Sequence, residues 1–361
     1  MSEIDQRLAA IRAELDSLDE QLVALINQRA HLARRIGMAK SEAGLRVYAP
    51  DRERQVLDRV AALNQGPMPE RALRSVYREL MSGSLALERS PRITVLGPPG
   101  SYSHLAGRRK FGTSVEFELV SSITAVFEEI EHGHAEFALV PVENSIAGGI
   151  GETLDCLIRR DAKVCGEVNL AVHHHLLSRG PLEAVQRVYS KPEVFAQCQL
   201  WLTETGLIAK TIPAASTSRA AEEASMEDGA AAIAGDLAAE LFGLTKVAEF
   251  IEDDPGNVTR FLILGTMAPQ PTGSDKTSIV FNIGHQPGTL IDTLAVFRDA
   301  GVNMTRIESR ADRRQRWSYY FFVDLEGHAE TPTIAAALRE TAQRCHHWKV
   351  LGSYPRSDEV V

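Results

Sequence analysis

Basic side chains in the N-terminal helical pattern could bind a small dianion. From Ile4 to Ile36 apolar residues recur at spacings of three and four, the seam of a helix that packs on another helix. Arg29 takes a seam position where a leucine is expected. A buried guanidinium is costly unless its donors are satisfied, and its planar fork suits carboxylates. The pattern leaves two hypotheses, an internal ion pair or a ligand that carries carboxylates.

Two further cations lie along the same helix. Lys40 follows Arg29 by three turns and shares its face. Arg12 is too far along the helix to reach the same ligand within one chain. In an antiparallel dimer, however, Arg12 of the partner subunit would approach Arg29. The residue types and their spacing therefore allow a dianion site that two chains build together.

The central region carries short polar stretches that could bind an anion or polarise a hydroxyl group. The Ser-Thr-Ser stretch 216–218 precedes an Ala-rich helical pattern, which is typical of a helix N-cap and can also bind an anion. In NVTRF (257–261), Thr259 and Phe261 share one face of a strand and Arg260 lies on the other. Ordinary strand termination would explain an isolated TRF equally well.

Histidine and cysteine patterns do not predict a metal site. The run HHH (173–175) could place two histidines on one strand face, but polar histidines near a cleft are a simpler interpretation than metal ligands. The four cysteines are scattered without a CxxC pair, which indicates reduced thiols and no zinc site. GPPGSYSH lacks the lysine of a phosphate loop. We expect neither a metal nor a cofactor.

The composition narrows the classes of function. A chain of 361 residues suggests two or three domains, and 44% hydrophobic with 24% charged residues is ordinary for a globular protein. A net charge of −9 argues against nucleic acid as the main partner. The N-terminus lacks the apolar core of a signal peptide, and no apolar run approaches a membrane span. These features predict a cytoplasmic protein without a nucleic-acid or membrane partner.

Three regions must position these residues. Residues 1–90 read as all-helical, with one long rod and two shorter helices, too thin a core for a monomer and therefore a predicted dimer. Residues 91–270 alternate strands and helices, as one α/β domain or two lobes with a cleft. Residues 274–361 read as βαββαβ, an open sheet with helices on one face.

The helical region resembles the all-helical class of chorismate mutase over about residues 5–88. The resemblance rests on IRAELDSLDEQLVALINQRAHLARRIGMAK followed by DRERQVL. It implies that Arg29 and Arg12 of the partner subunit clamp the two carboxylates of chorismate, while Lys40 donates to the ether oxygen. The further implied chorismate-binding residues are Arg52, Glu53, Ser84 and Glu88. Glu88 could donate to the ether oxygen only when protonated, and Ala49 stands where some relatives have a carboxylate.

The central region resembles prephenate dehydratase over about residues 92–268. GSYSHLA (100–106), PVENSIAGGI (141–150), VYS (188–190), QC (197–198), STS and NVTRF occur in that family's order. The resemblance implies a two-lobed domain like a periplasmic binding protein, with Thr259 as the principal catalytic donor toward the departing C4 hydroxyl. Lys191 stands where many relatives have histidine. The implied prephenate-binding residues are Ser101, Asn144, Ser145, Ser190, Ser216, Thr217, Thr259, Arg260 and Phe261.

The C-terminal region resembles an ACT domain, a regulatory module that binds amino acids. Its signatures are GTL (288–290) in place of GAL and ESRA (308–311) in place of ESRP. The resemblance implies phenylalanine as the ligand, bound where two such domains pair. The implied phenylalanine-binding residues are Gly288, Thr289, Leu290, Asn303, Glu308, Ser309 and Arg310.

Together these resemblances imply a bifunctional enzyme of phenylalanine biosynthesis under feedback inhibition by phenylalanine. It would convert chorismate to prephenate and prephenate to phenylpyruvate, as a homodimer or a dimer of dimers. Two alternatives remain open on the sequence. One is a dehydratase whose helical domain mainly dimerises and has impaired mutase activity. The other is a non-enzymatic amino-acid sensor.

Overall fold

The computed structural model of the chain describes residues 2–43, 49–89, 91–357 and 359–361. They fall into two compact units, one within residues 1–49, 57–91 and 111–116, the other within 50–56, 92–110 and 117–361. Along the described ranges, none of the helices combines the length and apolar character of a bilayer span. The predicted helical, α/β and βαββαβ regions are all present, which confirms the predicted multidomain fold class.

The helical region consists of α1 (Glu3–Glu42), α2 (Pro50–Leu63) and α3 (Glu70–Arg89). At 1.5 Å per residue α1 is about 60 Å long, and it packs against α3. Proline at the first position of α2 suits a helix start because its missing N–H would have no intrahelical partner. The apolar seam of α1 stays largely uncovered in the single chain, since Leu15, Leu22 and Leu25 are 56%, 54% and 61% exposed.

The α/β region runs through eleven strands, seven helices and two short 3₁₀ turns in the described residues. In chain order they are β1 (Ile93–Leu96), α4 (Tyr102–Phe111), β2 (Phe117–Val120), α5 (Ile123–Glu131), β3 (Phe137–Asn144), β4 (Gly148–Gly149), α6 (Gly151–Arg159), β5 (Lys163–Ala171), β6 (His175–Ser178), the turn Leu182–Ala184, β7 (Arg187–Ser190), α7 (Pro192–Gln197), α8 (Gln199–Glu204), the turn Ile208–Lys210, β8 (Thr211–Pro213), α9 (Thr217–Met226), β9 (Ala230–Ala234), α10 (Asp236–Phe242), β10 (Thr245–Ala248) and β11 (Val258–Gly265).

These strands form two sheets, one for each lobe. The first sheet has the order β2-β1-β3-β11-β5, with β4 paired to β3, and the second has the order β10-β6-β9-β7-β8. Strands β1, β2 and β3 are parallel, whereas β11 runs antiparallel between β3 and β5. In the second sheet β7 is parallel to β8 and β9. Each lobe is thus an α/β unit in which helices follow parallel strands.

The chain passes between the two sheets twice. Residues 172–174, the first crossover, join β5 to β6, and residues 249–257, the second crossover, join β10 to β11. The crossovers bond to each other through Val172 N–H to Asn257 O (2.8 Å) and Ile251 N–H to His174 O (3.0 Å). The HHH run and the start of NVTRF therefore lie at the junction of the lobes.

The C-terminal region has the βαββαβ order that the sequence predicts. Its elements are β12 (Asp275–Asn282), α11 (Thr289–Asp299), β13 (Met304–Ala311), β14 (Tyr319–Glu326), α12 (Pro332–Ala342) and β15 (His347–Pro355). The antiparallel sheet has the order β13-β14-β12-β15, so β13 and β15 are its edges. Its core contains Phe281, Phe297 and Val323, all fully buried.

A buried ion cluster joins this sheet to the first sheet of the α/β region. Arg260 of β11 donates to Glu167 (2.8 Å), to Asp324 of β14 (2.5 Å) and to the hydroxyl of Tyr354 (3.0 Å). Lys276 donates to Glu167 at 2.9 Å. Although burial acts to raise the pKa of Asp324, the Arg260 guanidinium and neighbouring groups hold it below its usual value. Removing one partner of such a buried pair typically costs about 3–5 kcal/mol.

Candidate active sites

Arg29 lies at the contact between α1 and α3. Its Nη1 donates to Ser84 Oγ at 3.0 Å and, more weakly, to the carbonyl oxygen of Leu80 at 3.5 Å. The Ser84 hydroxyl donates to the same carbonyl at 2.8 Å. Both bonds of Arg29 start from one nitrogen of a guanidinium that has five N–H donors. The structure therefore brings together two residues that the sequence predicts to bind chorismate.

Glu88 on α3 faces the same part of α1. Burial raises the pKa of Glu88, and the charges of Lys40 and Arg29 oppose that rise without cancelling it. A Cβ atom at Gly37 would lie 2.7 Å from Glu88 Cγ, so the absence of a side chain at Gly37 leaves room for Glu88 here. The higher pKa leaves more of the Glu88 carboxyl group protonated at mildly acidic pH.

Arg12 is far from this cluster within one chain. Because α1 is continuous, the helical rise places Arg12 about 25 Å from Arg29 along the axis. Its side chain is exposed. One small ligand cannot contact both residues of the same chain.

The α2 residues have contacts of their own. The Nη1 of Arg52 donates to Gln55 Oε1 at 3.2 Å, and Glu53 Oε2 pairs with Lys110 Nζ at 3.1 Å. Ala49 is the N-cap of α2 and gives it no side-chain cap. The roles predicted for Arg52 and Glu53 toward chorismate stay predictions.

Thr259 meets Asn144 across the β11–β3 pair. Asn144 Nδ2 donates to Thr259 Oγ1 at 2.9 Å, while Asn144 Oδ1 accepts from the backbone N–H groups of Ile146 (3.1 Å) and Ala147 (2.9 Å). Since a backbone N–H can only donate, these two bonds assign the orientation of the Asn144 amide. Thr259 Oγ1 therefore accepts from Asn144, and its own proton is available for another acceptor.

Two helix N-termini, one from each lobe, lie next to each other. Ser101 precedes α4 just beyond the carboxyl end of β1, and Ser216 is the N-cap of α9, accepting from a backbone N–H at 3.0 Å. The hydroxyl of Ser218 in the first turn of α9 donates to the carbonyl oxygen of Pro99. Helix N-termini favour anions, and ligands of open α/β sheets bind at carboxyl strand ends. This edge is suited to carboxylates.

Of three other predicted prephenate residues, Ser190 and Thr217 are buried whereas Ser145 is exposed. Ser145 Oγ donates to the Gly256 carbonyl oxygen at 3.0 Å and accepts from a backbone N–H at 2.9 Å. Ser190 is fully buried, and its hydroxyl donates to the Ile233 carbonyl oxygen at 2.7 Å. Thr217, the first residue of α9, is also buried. The proton of Ser145 thus braces a loop, whereas that of Ser190 joins strands β7 and β9.

Two of the predicted prephenate contacts need correction. We expected Arg260 to bind substrate carboxylates, but its guanidinium lies in the buried ion cluster with Glu167 and Asp324. Neighbouring residues of a strand face opposite sides, so Arg260 points away from the face of Thr259. Phe261 is 1% exposed and belongs to the core, which leaves no surface for a ligand.

The HHH run has partners within the protein. His173 Nδ1 lies 2.7 Å from Glu252 Oε1, and the rings of His173 and His175 contact the edge or face of Phe250. Among the residues that the structure describes, no group of three or more His, Cys, Asp or Glu could hold a metal ion. Nearby, burial raises the pKa of Cys198 to about 12, so its thiol is not a ready nucleophile.

A cavity of about 360 Å³ lies beside the GTL turn. Gly288 has a φ of 85°, a left-handed conformation that favours glycine, and caps α11. The hydroxyl of Thr289 turns back to the carbonyl oxygen of Gly284 at 2.8 Å. Apolar walls come from Leu290 and Phe321. Three of the predicted phenylalanine residues, Gly288, Thr289 and Leu290, thus line one cavity.

The ESR side chains on β13 do not line that cavity. Arg310 makes two bonds of 3.0 Å to the carboxylate of Asp155 on α6, and Arg306 Nε lies 2.8 Å from Glu143 Oε2. The Glu308 side chain occupies the space where Gly149 would carry a Cβ atom. Asn303 and Ser309, also predicted to bind phenylalanine, lie before and within the same strand. Within one chain the two ACT signatures are therefore separate.

Sequence reasoning missed several residues around Asn144. Asn257 and Gln197 stand in NVTRF and QC, and His174 in HHH, but no role was assigned to them. Asn144 Nδ2 donates to Asn257 Oδ1 at 2.7 Å, which makes Asn257 a direct neighbour of the Thr259 pair. The sequence signal that could have identified these residues was their position within motifs already noted.

Comparison with known proteins assigns the three regions. Family models match the chain as chorismate mutase type II over residues 11–89, prephenate dehydratase over 93–269 and ACT domain over 277–343. A bifunctional chorismate mutase/prephenate dehydratase of Stutzerimonas stutzeri is 41% identical over 99% of this chain and 100% of its own length. The chain belongs to this bifunctional family. The resemblances drawn from the sequence are thereby confirmed.

Two solved structures that are similar to this family member each cover about three quarters of it. The prephenate dehydratase of Arthrobacter aurescens in complex with L-Phe is 33% identical, with a TM-score of 0.68, and spans 74% of this chain and 90% of that chain. A protein described as GqqA, a novel type of quorum quenching acylase, is 32% identical with the same TM-score and spans 74% of this chain and 98% of that chain.

The raised pKa of Glu88 predicts a pH dependence for prephenate formation. Only the protonated carboxyl group can donate a hydrogen bond, so kcat/KM should fall as pH rises through the pKa of Glu88. In Glu88→Gln the amide donates at every pH, so this decline should disappear. Glu79→Gln, on the same helix but bonded to Thr113, is the control and should keep the decline. An unchanged profile in Glu88→Gln would refute a protonated Glu88.

Proposed function

We propose that this chain catalyses two consecutive reactions, chorismate to prephenate and prephenate to phenylpyruvate, under inhibition by phenylalanine. The observation that carries the proposal is the family match over 99% of the chain, which includes both enzyme regions and the ACT domain. We propose the domain boundaries 1–90, 91–270 and 274–361 and a cytoplasmic location, in keeping with four free cysteines.

The mutase step is a pericyclic rearrangement in which the ether C–O bond breaks as a C–C bond forms. It needs no nucleophile, only an enzyme that holds the reactive chair and stabilises charge on the ether oxygen. Arg29 would bind one carboxylate beside Ser84, and Arg12 of the partner subunit would bind the other. Lys40 and protonated Glu88 would donate to the ether oxygen, while Arg52 and Glu53 hold the ring end.

A homodimer is part of this proposal. The support is the exposed apolar seam of α1, whose residues from Ile4 to Ile36 are 46% to 71% exposed in the single chain. Such a stripe on a helix of 40 residues can be covered by the same stripe of a second chain. Because Arg12 and Arg29 lie about 25 Å apart along one helix, an antiparallel pair would also complete the clamp. A dimer of dimers would follow if the ACT domains pair as well.

The dehydratase step removes the C4 hydroxyl of prephenate as water and its carboxyl carbon as CO₂. Formation of the aromatic ring drives the step, so the protein need only assist the departing hydroxyl and hold the carboxylates. Thr259 would donate its free proton toward that hydroxyl. The N–H of Asn144 would stabilise the charge that develops on Thr259 Oγ1, because it already donates to this atom at 2.9 Å.

The prephenate carboxylates would lie at the paired helix N-termini. Ser101, Ser216 and Thr217 flank the first turns of α4 and α9, where backbone N–H groups are available to anions. Ser145 would shape the pocket through the loop that it braces, and Ser190 through the strands that it joins. The proposed site no longer includes Arg260 and Phe261, which are committed to the interior.

Feedback by phenylalanine would act through the ACT domain. The cavity at Gly288, Thr289 and Leu290 would bind the amino acid, and the Asn303, Glu308, Ser309 and Arg310 set would approach it from a second ACT domain. The same strand β13 contacts the dehydratase region through Arg310–Asp155 and Arg306–Glu143. Glu143 adjoins Asn144, so a shift of β13 on binding would reach the catalytic pair.

A second candidate is a dehydratase whose mutase domain is impaired and mainly dimerises. Two observations favour it: Ala49 offers no carboxylate at the start of α2, and Glu53 is paired with Lys110. Prephenate formation from chorismate separates the two candidates. A non-enzymatic sensor would show neither product.

Thr259→Ala should lower the rate of phenylpyruvate formation about 10²–10⁴-fold, because the departing hydroxyl loses its donor. When chorismate is supplied and both products are followed separately, prephenate should accumulate at the wild-type rate. Thr259→Ser keeps the hydroxyl and should retain much of the turnover. Wild-type dehydratase turnover in Thr259→Ala would remove this residue from the mechanism.

Leu22→Glu should dissociate the dimer, raising its dissociation constant about 100-fold or more, since an unpaired carboxylate would be buried in the seam. Light scattering measures the mass of the particle in solution. The rate of prephenate formation should fall as the dimer dissociates. Ala13→Glu introduces the same charge on the opposite face of α1 and should leave both unchanged. A dimeric, fully active Leu22→Glu variant would contradict the α1 pairing.

Saturating phenylalanine should inhibit phenylpyruvate formation and give measurable binding heat. In Asp155→Asn the paired contact to Arg310 is broken, so binding heat should persist while inhibition weakens about fivefold or more. Asp161→Asn removes an exposed carboxylate from the same region and serves as control. Regulation by phenylalanine would be ruled out if wild-type activity stayed constant and no heat appeared.

A further inference from the structure

His174 on the first crossover is a buried histidine that neither proposed reaction uses directly. It is 1% exposed, yet both ring nitrogens have close polar neighbours. Nε2 lies 2.8 Å from Gln197 Oε1, and Nδ1 lies 2.8 Å from the hydroxyl of Tyr102. Burial lowers the pKa of His174, so the ring is neutral near pH 7 and carries one N–H.

A chain of hydrogen bonds connects this ring to Thr259. Asn144 Nδ2 donates both to Thr259 Oγ1 (2.9 Å) and to Asn257 Oδ1 (2.7 Å). Asn257 Nδ2 faces Gln197 Oε1 at a longer 3.5 Å. Gln197 Oε1 then meets His174 Nε2. This series of hydrogen bonds thus runs from β3 through the second crossover and α7 to the first crossover.

The donor and acceptor roles along this series of hydrogen bonds follow from the orientation of the Asn144 amide. The Asn144 carbonyl is held by the N–H groups of Ile146 and Ala147, so its NH₂ group must face Asn257 Oδ1. That orients the Asn257 NH₂ group toward Gln197, which must then present its oxygen. His174 must accordingly carry its proton on Nε2. Only this tautomer pairs a donor with an acceptor at every contact between Asn144 and His174 Nε2.

Tyr102 contacts the other ring nitrogen of His174. Its hydroxyl donates to the His173 carbonyl oxygen at 2.7 Å and lies 2.8 Å from His174 Nδ1, so with a bare Nδ1 its one proton is shared between the two acceptors in a three-centre bond. A bare Nδ1 needs this donor when the ring proton is on Nε2. Further bonds hold the histidine in place, because its backbone N–H donates to Glu252 Oε2 at 2.9 Å.

We propose that His174 is a positioning residue for dehydration, which through Gln197, Asn257 and Asn144 sets the direction in which Thr259 donates its proton. The inference rests on the proposed dehydratase role of Thr259. If His174 lost the Nε2 proton, the Gln197 amide could turn, Asn257 would follow, and the NH₂ group of Asn144 would lose one of its two acceptors. Misplacement of a catalytic donor by about 1 Å can cost about 10²-fold in rate.

Substitutions at His174 separate positioning from packing. Glutamine can reach the position of Nε2 with an N–H donor, whereas asparagine is too short to donate to Gln197. His174→Asn should lower kcat for phenylpyruvate formation from prephenate about 10- to 100-fold, with KM within about twofold. His174→Gln should recover kcat to within about threefold of wild type. Tyr102→Phe, which removes the donor to Nδ1, should lower kcat about fivefold at unchanged KM.

His175→Asn is the matched control, since His175 is equally buried and adjacent but bonds to Phe250 N–H and pairs with Asp236. It should change thermal stability about as much as His174→Asn while kcat stays within about threefold. Prephenate formation from chorismate by each full-length variant reports that the helical region is folded, and the thermal transition reports on the region that contains His174.

The results distinguish this inference from the proposed function. Equal kcat in His174→Asn and wild type, or equal losses in His174→Asn and His174→Gln, would overturn the positioning role. If Thr259→Ala lost activity while the His174 variants gave either of those results, only the positioning role would be wrong, and the proposed dehydratase function would still hold. If Thr259→Ala itself were active, the proposed function would fail first.

Discussion

The buried contact of Arg260 with Asp324 and Glu167 is the constraint on which much of the second unit depends. It joins a strand of the first lobe to the sheet of the ACT region, at side chains that are 12% exposed or less. Charged side chains this deeply buried are stable only when every partner is present, because leaving one of them unpaired would cost several kcal/mol of folding free energy. Strand β11 is therefore held in place, and the alternation of side chains directs Thr259 to its other face.

Around Thr259 the structure supplies orientation more than reactive groups. Asn144 presents an N–H whose direction is set by two backbone groups, and the two crossovers that carry Asn257 and His174 bond to each other. The Cys198 thiol has a pKa raised to about 12. This suits a reaction driven by ring aromatisation, for which geometry and one hydrogen-bond donor suffice.

In the helical region, by contrast, the proposed site is incomplete within one chain. Its α1 leaves a long apolar seam exposed, and Arg12 and Arg29, which we propose to bind the dicarboxylate, are separated along the same helix. A second chain would cover the seam and complete the clamp in a single step. The ACT region shares this incompleteness, since the GTL cavity and the ESR strand are apart within one chain, while Arg310 and Arg306 already tie β13 to the dehydratase region.

The sequence by itself determined the periodic features: the α1 seam with Arg29 within it, the βαββαβ order, and the opposite faces of Thr259 and Arg260. Local chemistry also identified the capping serine Ser216. Only the tertiary structure decided which partners these side chains meet. Arg260 bonds to Glu167 and Asp324, far from it along the chain, and Asn257 on the second crossover meets Gln197 at the end of α7. Periodicity assigns a face to each residue, whereas long-range packing chooses what lies opposite that face.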